Sequence, residues 1–425
     1  MYIERLRLTD FRNYAALDLS LPRGLVVFTG RNAQGKSNLL EAVMLAATSR
    51  SFRTTSEREA VRWGAPGHFA RVDTTVARRT GPLHVEVIVS DAGPTAEGTP
   101  ARPTAAAADP ALPTPPPAAF RKRVRVNGAP RRALDLLGLV TVVVFAPTDL
   151  DLVIGSPAQR RRFLDMTLCQ VRPAYCRALS QYQKVLAQRA ALLRRIKEGA
   201  ESPHALGYWD DQLARLAVPI MRERAAFLRA AEASAARVYA ALAGDDTGED
   251  TDDGEHEDED DSDSVGHPDP STGLRLVYRP AYDGSLEGDE AEVAAAFKAR
   301  LVELRKREIA QGANVIGPHR DDLAFLSGDV DLSAYGSRGQ QRSVALALKL
   351  AELEYIERET GDQPILLLDD VLSELDTQRR ADLLAAVRDL DQVLLTTTDA
   401  ASVPADALAH AHIYRVRGGA VRPAA

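Results

Sequence analysis

The sequence predicts an α/β protein with two lobes, one built on β-sheet and the other helical. Three observations support this. A β-branched and aromatic run, "LVVFTG" at 25–30, opens through a glycine-containing loop into a helical pattern, "GKSNLLEAVMLAA". A second apolar run, "PILLLDD" at 364–370, has the length of a buried strand, and a third, "QVLLTTTD" at 392–399, follows after one helical segment. Between them, from Pro157 to Leu242, the apolar residues recur at helical spacing.

The elements follow in order. The runs "HFARVDTTVAR", "LHVEVIVS" and "KRVRVNGAP" alternate as half-buried strands do, and the last closes on an Asn-Gly turn. They predict an antiparallel sheet, interrupted by a Pro-, Ala-, Gly- and Thr-rich insertion from Asp91 to Ala119 that suits neither strand nor stable helix. The 157–242 stretch breaks near Pro173 and at "ESPH", 201–204, and leaves room for two helices of about 40 residues, roughly 60 Å each. Helical patterns at 289–311 and 340–360 bracket "IGPHRDD", and one more, 377–390, lies between the last two strands as in a βαβ unit. The expected division is 1–156 for the first part of the sheet lobe, 157–311 for the helical lobe, and 312–425 for the return that completes the first.

Charge and cysteine content narrow the class. The net charge of −7 is uneven, because residues 245–263 hold 13 acids and no Lys or Arg. The remaining chain carries 53 basic against 47 acidic residues, a net of +6. The acidic block repels itself and has little to bury, so it is expected to be disordered, either a solvated insertion or a decoy for nucleic-acid phosphates. Cys169 and Cys176 make no disulfide framework and read as free thiols in a reducing cytoplasm. The longest apolar stretch, "LGLVTVVVFA", is about half of a membrane span, so neither a span nor a signal peptide is expected.

The chemistry begins at residues 30–37. Gly30, Arg31, Asn32, Ala33, Gln34, Gly35, Lys36 and Ser37 fit G-x-x-x-x-G-K-[ST] between a strand and a helix, the setting of a nucleotide-binding P-loop. The glycines let backbone amides wrap phosphates, Lys36 adds positive charge, and Ser37 is a ligand for Mg²⁺. Asp369 and Asp370 leave the end of a buried strand, where open α/β sheets bind ligands. Asp369 suits the Mg²⁺ shell, usually through water, and Asp370 suits the orientation and deprotonation of an attacking water. A pair of helix N-caps is the plainer alternative.

A second helix opens at "YGSRGQQRSVALALKLAEL", 335–353. Ser337, Arg338, Gly339 and Gln340 precede or begin it, where free N–H groups and the helix dipole favour an anion. The P-loop already surrounds its own phosphates. The expected partner is therefore the γ-phosphate of ATP held by a second copy, which gives two equivalent composite sites in a C₂ homodimer. The alternative is an ordinary capped helix. In "RKRVRVNGAP" Arg121, Arg123 and Arg125 share one strand face while Val124 and Val126 face the core. Arg160, Arg161 and Arg162 begin the helical lobe, pointing in different directions. Both clusters are candidate contacts to DNA phosphates, and plain solvated basic faces are the alternative. No feature for reading bases appears, so binding is expected to be independent of sequence.

These residues resemble a family. "SRGQ" at 337–340 resembles the signature motif of ABC-type ATPases and "SELD" at 373–376 their D-loop, in the order those proteins use. Within that superfamily, "FRNY", "GRNAQGKSNLLEA", "FAPTDLDLVIGSPAQRRRFLD", "IGPHRDDL", "GSRGQQRS" and "LLLDDVLSELD" are similar to RecF, a bacterial recombination mediator related to SMC heads. The resemblance runs from Tyr2 to about Tyr414 and skips the two insertions. It implies an ABC-type, SMC-like P-loop ATPase head with a helical second lobe. It also implies a cytoplasmic DNA-binding protein that dimerises around ATP and hydrolyses it slowly. Such a protein engages duplex or gapped DNA and, with RecO and RecR, promotes RecA loading in repair, replication and the SOS response. The chain departs from transporter ATPases: Asp370 replaces their longer glutamate, "FAPTDL" has no Gln, and "TTTDA" has no switch histidine. An SMC-type structural ATPase, a transporter ATPase and a small-molecule kinase are the competing classes. The helical lobe is too short for an SMC arm, and a kinase leaves "SRGQ" unexplained.

Overall fold

A computed structural model describes residues 1–54, 56–91, 120–243 and 273–424. In chain order the strands are β1 (Tyr2–Phe11), β2 (Tyr14–Ser20), β3 (Gly24–Thr29), β4 (Phe69–Ala77), β5 (Leu83–Asp91), β6 (Phe120–Val126), β7 (Ala129–Arg131), β8 (Val142–Phe145), β9 (Leu274–Arg279), β10 (Asp322–Ser327), β11 (Val330–Asp331), β12 (Ile365–Asp369), β13 (Gln392–Thr397), β14 (His412–Arg417) and β15 (Ala420–Pro423). The helices are α1 (Lys36–Thr48), α2 (Pro147–Leu150), α3 (Pro157–Val171), α4 (Pro173–Lys197), α5 (Leu206–Ala243), α6 (Glu290–Gln311), α7 (Leu332–Tyr335), α8 (Arg338–Thr360), α9 (Thr377–Ala386) and α10 (Ala405–Ala409). Asp91 ends β5 rather than opening the first insertion; the rest of that insertion and the acidic block lie outside the described residues.

The chain forms two compact units, one of Met1–Val144, Ile365–Ser373 and Arg388–Ala425, the other of Phe145–Pro364 and Glu374–Val387. The first holds two six-stranded sheets. One runs β2-β1-β4-β5-β6-β7 with antiparallel pairing, as the alternating runs predict. The other runs β15-β14-β3-β13-β12-β8, and its β14, β3, β13 and β12 are parallel neighbours. Every residue of β12 is buried, which is why its sequence is a continuous apolar run rather than an alternating one. Helix α1 packs against strands of both sheets and is buried on nearly all sides. That explains an apolar helix with no polar stripe; each fully buried Leu or Val adds about 1.5–3 kcal/mol.

The second unit is mostly helical. The 157–242 stretch breaks near Pro173 and at 201–204 as expected, which gives three helices of 15, 25 and 38 residues rather than two of about 40. Pro173 forces the first division, since it starts α4 at a position where its missing N–H does no harm. Pro219 lies inside α5 without ending it. Helix α5 packs against α4, α6, α8 and β9 at the centre of the unit, and β9, β10 and β11 make a small antiparallel sheet. Helix α8 groups with these helices, so the compact unit extends past residue 311 to Pro364. Cys169 and Cys176 are buried here and form no disulfide. No helix among the described residues is long and apolar enough to cross a membrane.

Candidate nucleotide site

The P-loop leaves β3 and enters α1 through backbone geometry that only small residues adopt. Gly30 has φ 153° and lies so close to β14 that a Cβ would meet the Val416 carbonyl oxygen at 2.4 Å. Gly35, at φ 112°, is the N-cap of α1, and a Cβ there would meet the Asn13 side chain at 2.6 Å and the Tyr14 hydroxyl at 2.9 Å. No side chain caps α1. Among the described residues the amides of Asn32 through Ser37 have no hydrogen-bond partner, so the loop presents donors together with the positive end of a helix.

Lys36 is buried to 7% exposure, and its Nζ donates to the carbonyls of Gly30 at 2.6 Å and Arg31 at 3.1 Å. Burial lowers its pKa, while the charges of Asp370 and Asp369 act in the opposite direction. The lysine thus shares its electrostatic surroundings with both aspartates. Asp369 is 8% exposed and accepts a hydrogen bond from Thr396 Oγ1 at 2.8 Å. Asp370 sits at φ 54°, left-handed, held there by its amide donating to Thr396 at the carbonyl, 3.2 Å, and at Oγ1, 3.0 Å. Ser373 Oγ donates to the Asp370 carbonyl at 2.6 Å. Thr396 therefore holds the Asp369 carboxylate and the Asp370 backbone, a role absent from the sequence reading; its signal is a polar Thr run ending a buried strand opposite "LLLDD". The described residues contain no cluster of three or more His, Cys, Asp or Glu able to hold a metal. The donors fit a hard divalent ion such as Mg²⁺ that takes one or two protein oxygens and fills its remaining positions with phosphate and water.

The start of α8 is arranged differently. Ser337 is its N-cap, with Oγ accepting from the Gln340 amide at 3.1 Å, while Gln340 Oε1 accepts from the Ser337 amide at 2.8 Å. This is a capping box. The expected row of free amides is thus reduced: among the described residues only those of Arg338 and Gly339 have no partner in this turn. In the D-loop-like "SELD", Asp376 caps α9 by accepting from the Arg379 amide at 2.8 Å.

Known proteins place this arrangement. A family model described as an AAA domain matches residues 5–99. The chain is 41% identical to a DNA replication and repair protein RecF of Chloroflexus aurantiacus, over 99% of each chain. It is 37% identical to the same-named protein of Halalkalibacterium halodurans, again over 99% of each. The chain belongs to the RecF family. Structures of the recombination mediator RecF with ATP and with ATPrS, both 27% identical, superpose over 100% of this chain and 98% of theirs with TM-scores of 0.78 and 0.80. An SMC head bound to the C-winged helix domain of ScpA, 13% identical, covers 100% of this chain and 97% of its own with TM-score 0.50, a likeness of fold alone. The fold is that of an ABC-type, SMC-like ATPase head, as the resemblance implied, and RecF membership sets aside the transporter, kinase and structural SMC classes.

Of the basic residues picked for this RecF-family chain, those of β6 lie as the alternation predicts. Arg121, Arg123 and Arg125 are exposed and Val124 and Val126 are buried, although Arg125 pairs with Glu86 at 3.5 Å. Arg160 is a correction. It is 8% exposed, forms a two-pronged pair with Asp322 at 2.7 and 3.0 Å, and donates to the Val153 and Gly155 carbonyls, so it braces the helical unit instead of standing as an exposed cation. Arg161 is half-buried and donates to the Asp321 carbonyl at 2.7 Å; burial lowers its pKa, and the neighbouring Arg224 adds to that. Arg162 is exposed.

Proposed function

We propose that this RecF-family chain is an ATP-dependent DNA-binding protein of replication and recombinational repair that hydrolyses ATP slowly. The observation that carries this reading is the uncapped start of α1, with Lys36 in the electrostatic range of Asp369 and Asp370. The amides of residues 32–37 take the phosphates, and Lys36 exchanges its two carbonyl partners for phosphate oxygens. Ser37, and Asp369 through water, would hold Mg²⁺, which would neutralise developing charge on the phosphates. Asp370 orients a water and accepts its proton as the water oxygen bonds to the γ-phosphorus and the β–γ bridging oxygen departs. The left-handed backbone and the two bonds to Thr396 fix the Asp370 carboxylate's origin.

Ser337, Arg338, Gly339 and Gln340 complete the site of a second copy, so ATP holds a homodimer together and hydrolysis releases it. Residues 1–156 and 312–425 then act as the ATPase head and 157–311 as its arm, a functional division that differs from the compact units because α8 packs with the arm. Arg121, Arg123 and Arg125 contact DNA phosphates without reading sequence. In the cytoplasm the dimer marks duplex DNA beside single-stranded gaps and, with RecR and RecO, promotes RecA loading and so supports the SOS response. Affinity for gapped against fully duplex DNA, with and without ATP across a salt series, tests the reading. ATP should tighten binding, and affinity should fall steeply with salt. DNA binding indifferent to ATP overturns it.

A further inference from the structure

Two hairpin turns far apart in sequence meet on the crest of the P-loop. The turn between β1 and β2 carries Arg12 and Asn13, with Tyr14 opening β2, and Asn13 Nδ2 donates to the Gln34 carbonyl at 2.9 Å. The buried Tyr14 hydroxyl donates to the Gly35 carbonyl at 2.9 Å, and Asn38, in the first turn of α1, donates to Asn13 Oδ1 at 2.8 Å. Arg12 anchors the same turn through two bonds to the buried Glu41 at 2.6 and 2.8 Å. From the opposite end of the chain, the turn between β14 and β15 brings Gly418 and Gly419. The Gly418 amide donates to Gln34 Oε1 at 2.8 Å and the Gly419 amide to the Gln34 carbonyl at 3.2 Å.

Gln34 is therefore held by three donors from two hairpins, and none of the three occupies a loop amide. The spacing is tight: a Cβ on Gly419, at φ 76°, would meet the Asn13 carbonyl oxygen at 2.6 Å. An N–H cradle has value for an anion only if its donors converge before the ligand arrives, since ordering them on binding subtracts from affinity. Carbonyls fixed from behind turn the amides of the same peptide planes toward the ligand side.

We propose that Asn13, Tyr14 and the Gly418–Gly419 turn are positioning residues of the P-loop. They act through Gln34 and Gly35 to preset the amides that receive phosphate. This rests on the reading of residues 30–37 as an ATP site. The test is a fluorescence titration of the full chain with a fluorescent ATP analogue, beside steady-state turnover and nucleotide-free thermal unfolding. The variants are Asn13→Ala, Tyr14→Phe, Gly419→Ala and, as a control, Lys36→Ala. Asn13→Ala should weaken affinity about tenfold and Tyr14→Phe about threefold, the range of lost single hydrogen bonds. KM for ATP should rise in step, while kcat at saturating ATP stays within about twofold, a split that a general loss of folded protein does not produce. Gly419→Ala combined with Asn13→Ala should weaken binding less than the two separate effects together, since both act on Gln34. If Gly419→Ala does not fold, Tyr14→Phe, which removes one hydroxyl from a buried ring, still decides the matter. Affinities within about twofold of the parent for Asn13→Ala and Tyr14→Phe, with Lys36→Ala impaired, overturn the proposal alone. Unimpaired binding by Lys36→Ala overturns the ATP-site reading and the proposal with it.

Discussion

Helices α1 and α8 begin in opposite ways. The start of α1 is capped by a left-handed glycine that supplies no side chain, while α8 begins with Ser337 and Gln340 satisfying each other's amides. A Ser cap is worth about 0.5–2 kcal/mol, and α1 forgoes it. It can do so because burial between strands of two sheets, rather than its own termini, holds it in place. Helix α8 has an exposed, self-sufficient start, so a phosphate bound there, as proposed, would meet two unpaired amides in a turn that is already stable without it. The contrast separates an end that is incomplete without a ligand from one that a ligand only supplements.

Substitutions can break or sharpen that contrast. The largest effect is expected beside the incomplete end, where Asp370→Asn should keep ATP affinity and lower turnover by about 10²–10⁴, the usual contribution of a general base. Phosphate-release kinetics on purified protein check this, and undiminished turnover would remove Asp370 from its role. Next, Lys36→Ala should weaken nucleotide binding about 10- to 100-fold, as lost charge-assisted hydrogen bonds do. If calorimetric titration finds the affinity intact, α1 is no more a ligand site than α8. At the self-sufficient end, Ser337→Arg should leave monomer affinity for ATP near the parent value and weaken ATP-induced dimerisation at least about tenfold. Sedimentation velocity with a non-hydrolysable analogue reads this, and a normal dimer would reduce Ser337 to a helix cap. The smallest effect is expected of Ser337→Ala, which should lower stability by about 1 kcal/mol in denaturant titration of the nucleotide-free chain. No change there would mean that the box contributes nothing to α8.

What was legible in the sequence follows the distance between the residues concerned. The P-loop and the aspartate pair each fit within eight consecutive residues, and their chemistry is fixed by spacing. The capping box was equally local, Ser337 and Gln340 at the spacing of the motif, but the same residues suit an anion site and the pattern does not choose between them. Arg160 read as a surface cation because its partner Asp322 is 162 residues away, and nothing local announces the pairing. Thr396 was passed over for the same reason, since it meets Asp369 only through the parallel register of β12 and β13. The breaks near Pro173 and at 201–204 are local signals and fall where the helices divide, whereas the lengths of 15, 25 and 38 residues are not legible, because Pro173 starts a helix while Pro219 is carried inside one.

The bond between Gln34 and Gly418 spans 384 residues of sequence. A ribosome making this chain exposes Gln34 384 residues before Gly418, whose amide braces it. Until Gly418 and Gly419 emerge, a nascent or prematurely terminated polypeptide holds the loop's residues without its final shape. If these glycines preset the loop as proposed, competence for nucleotide follows their synthesis, and chains that stop short of them should bind ATP more weakly.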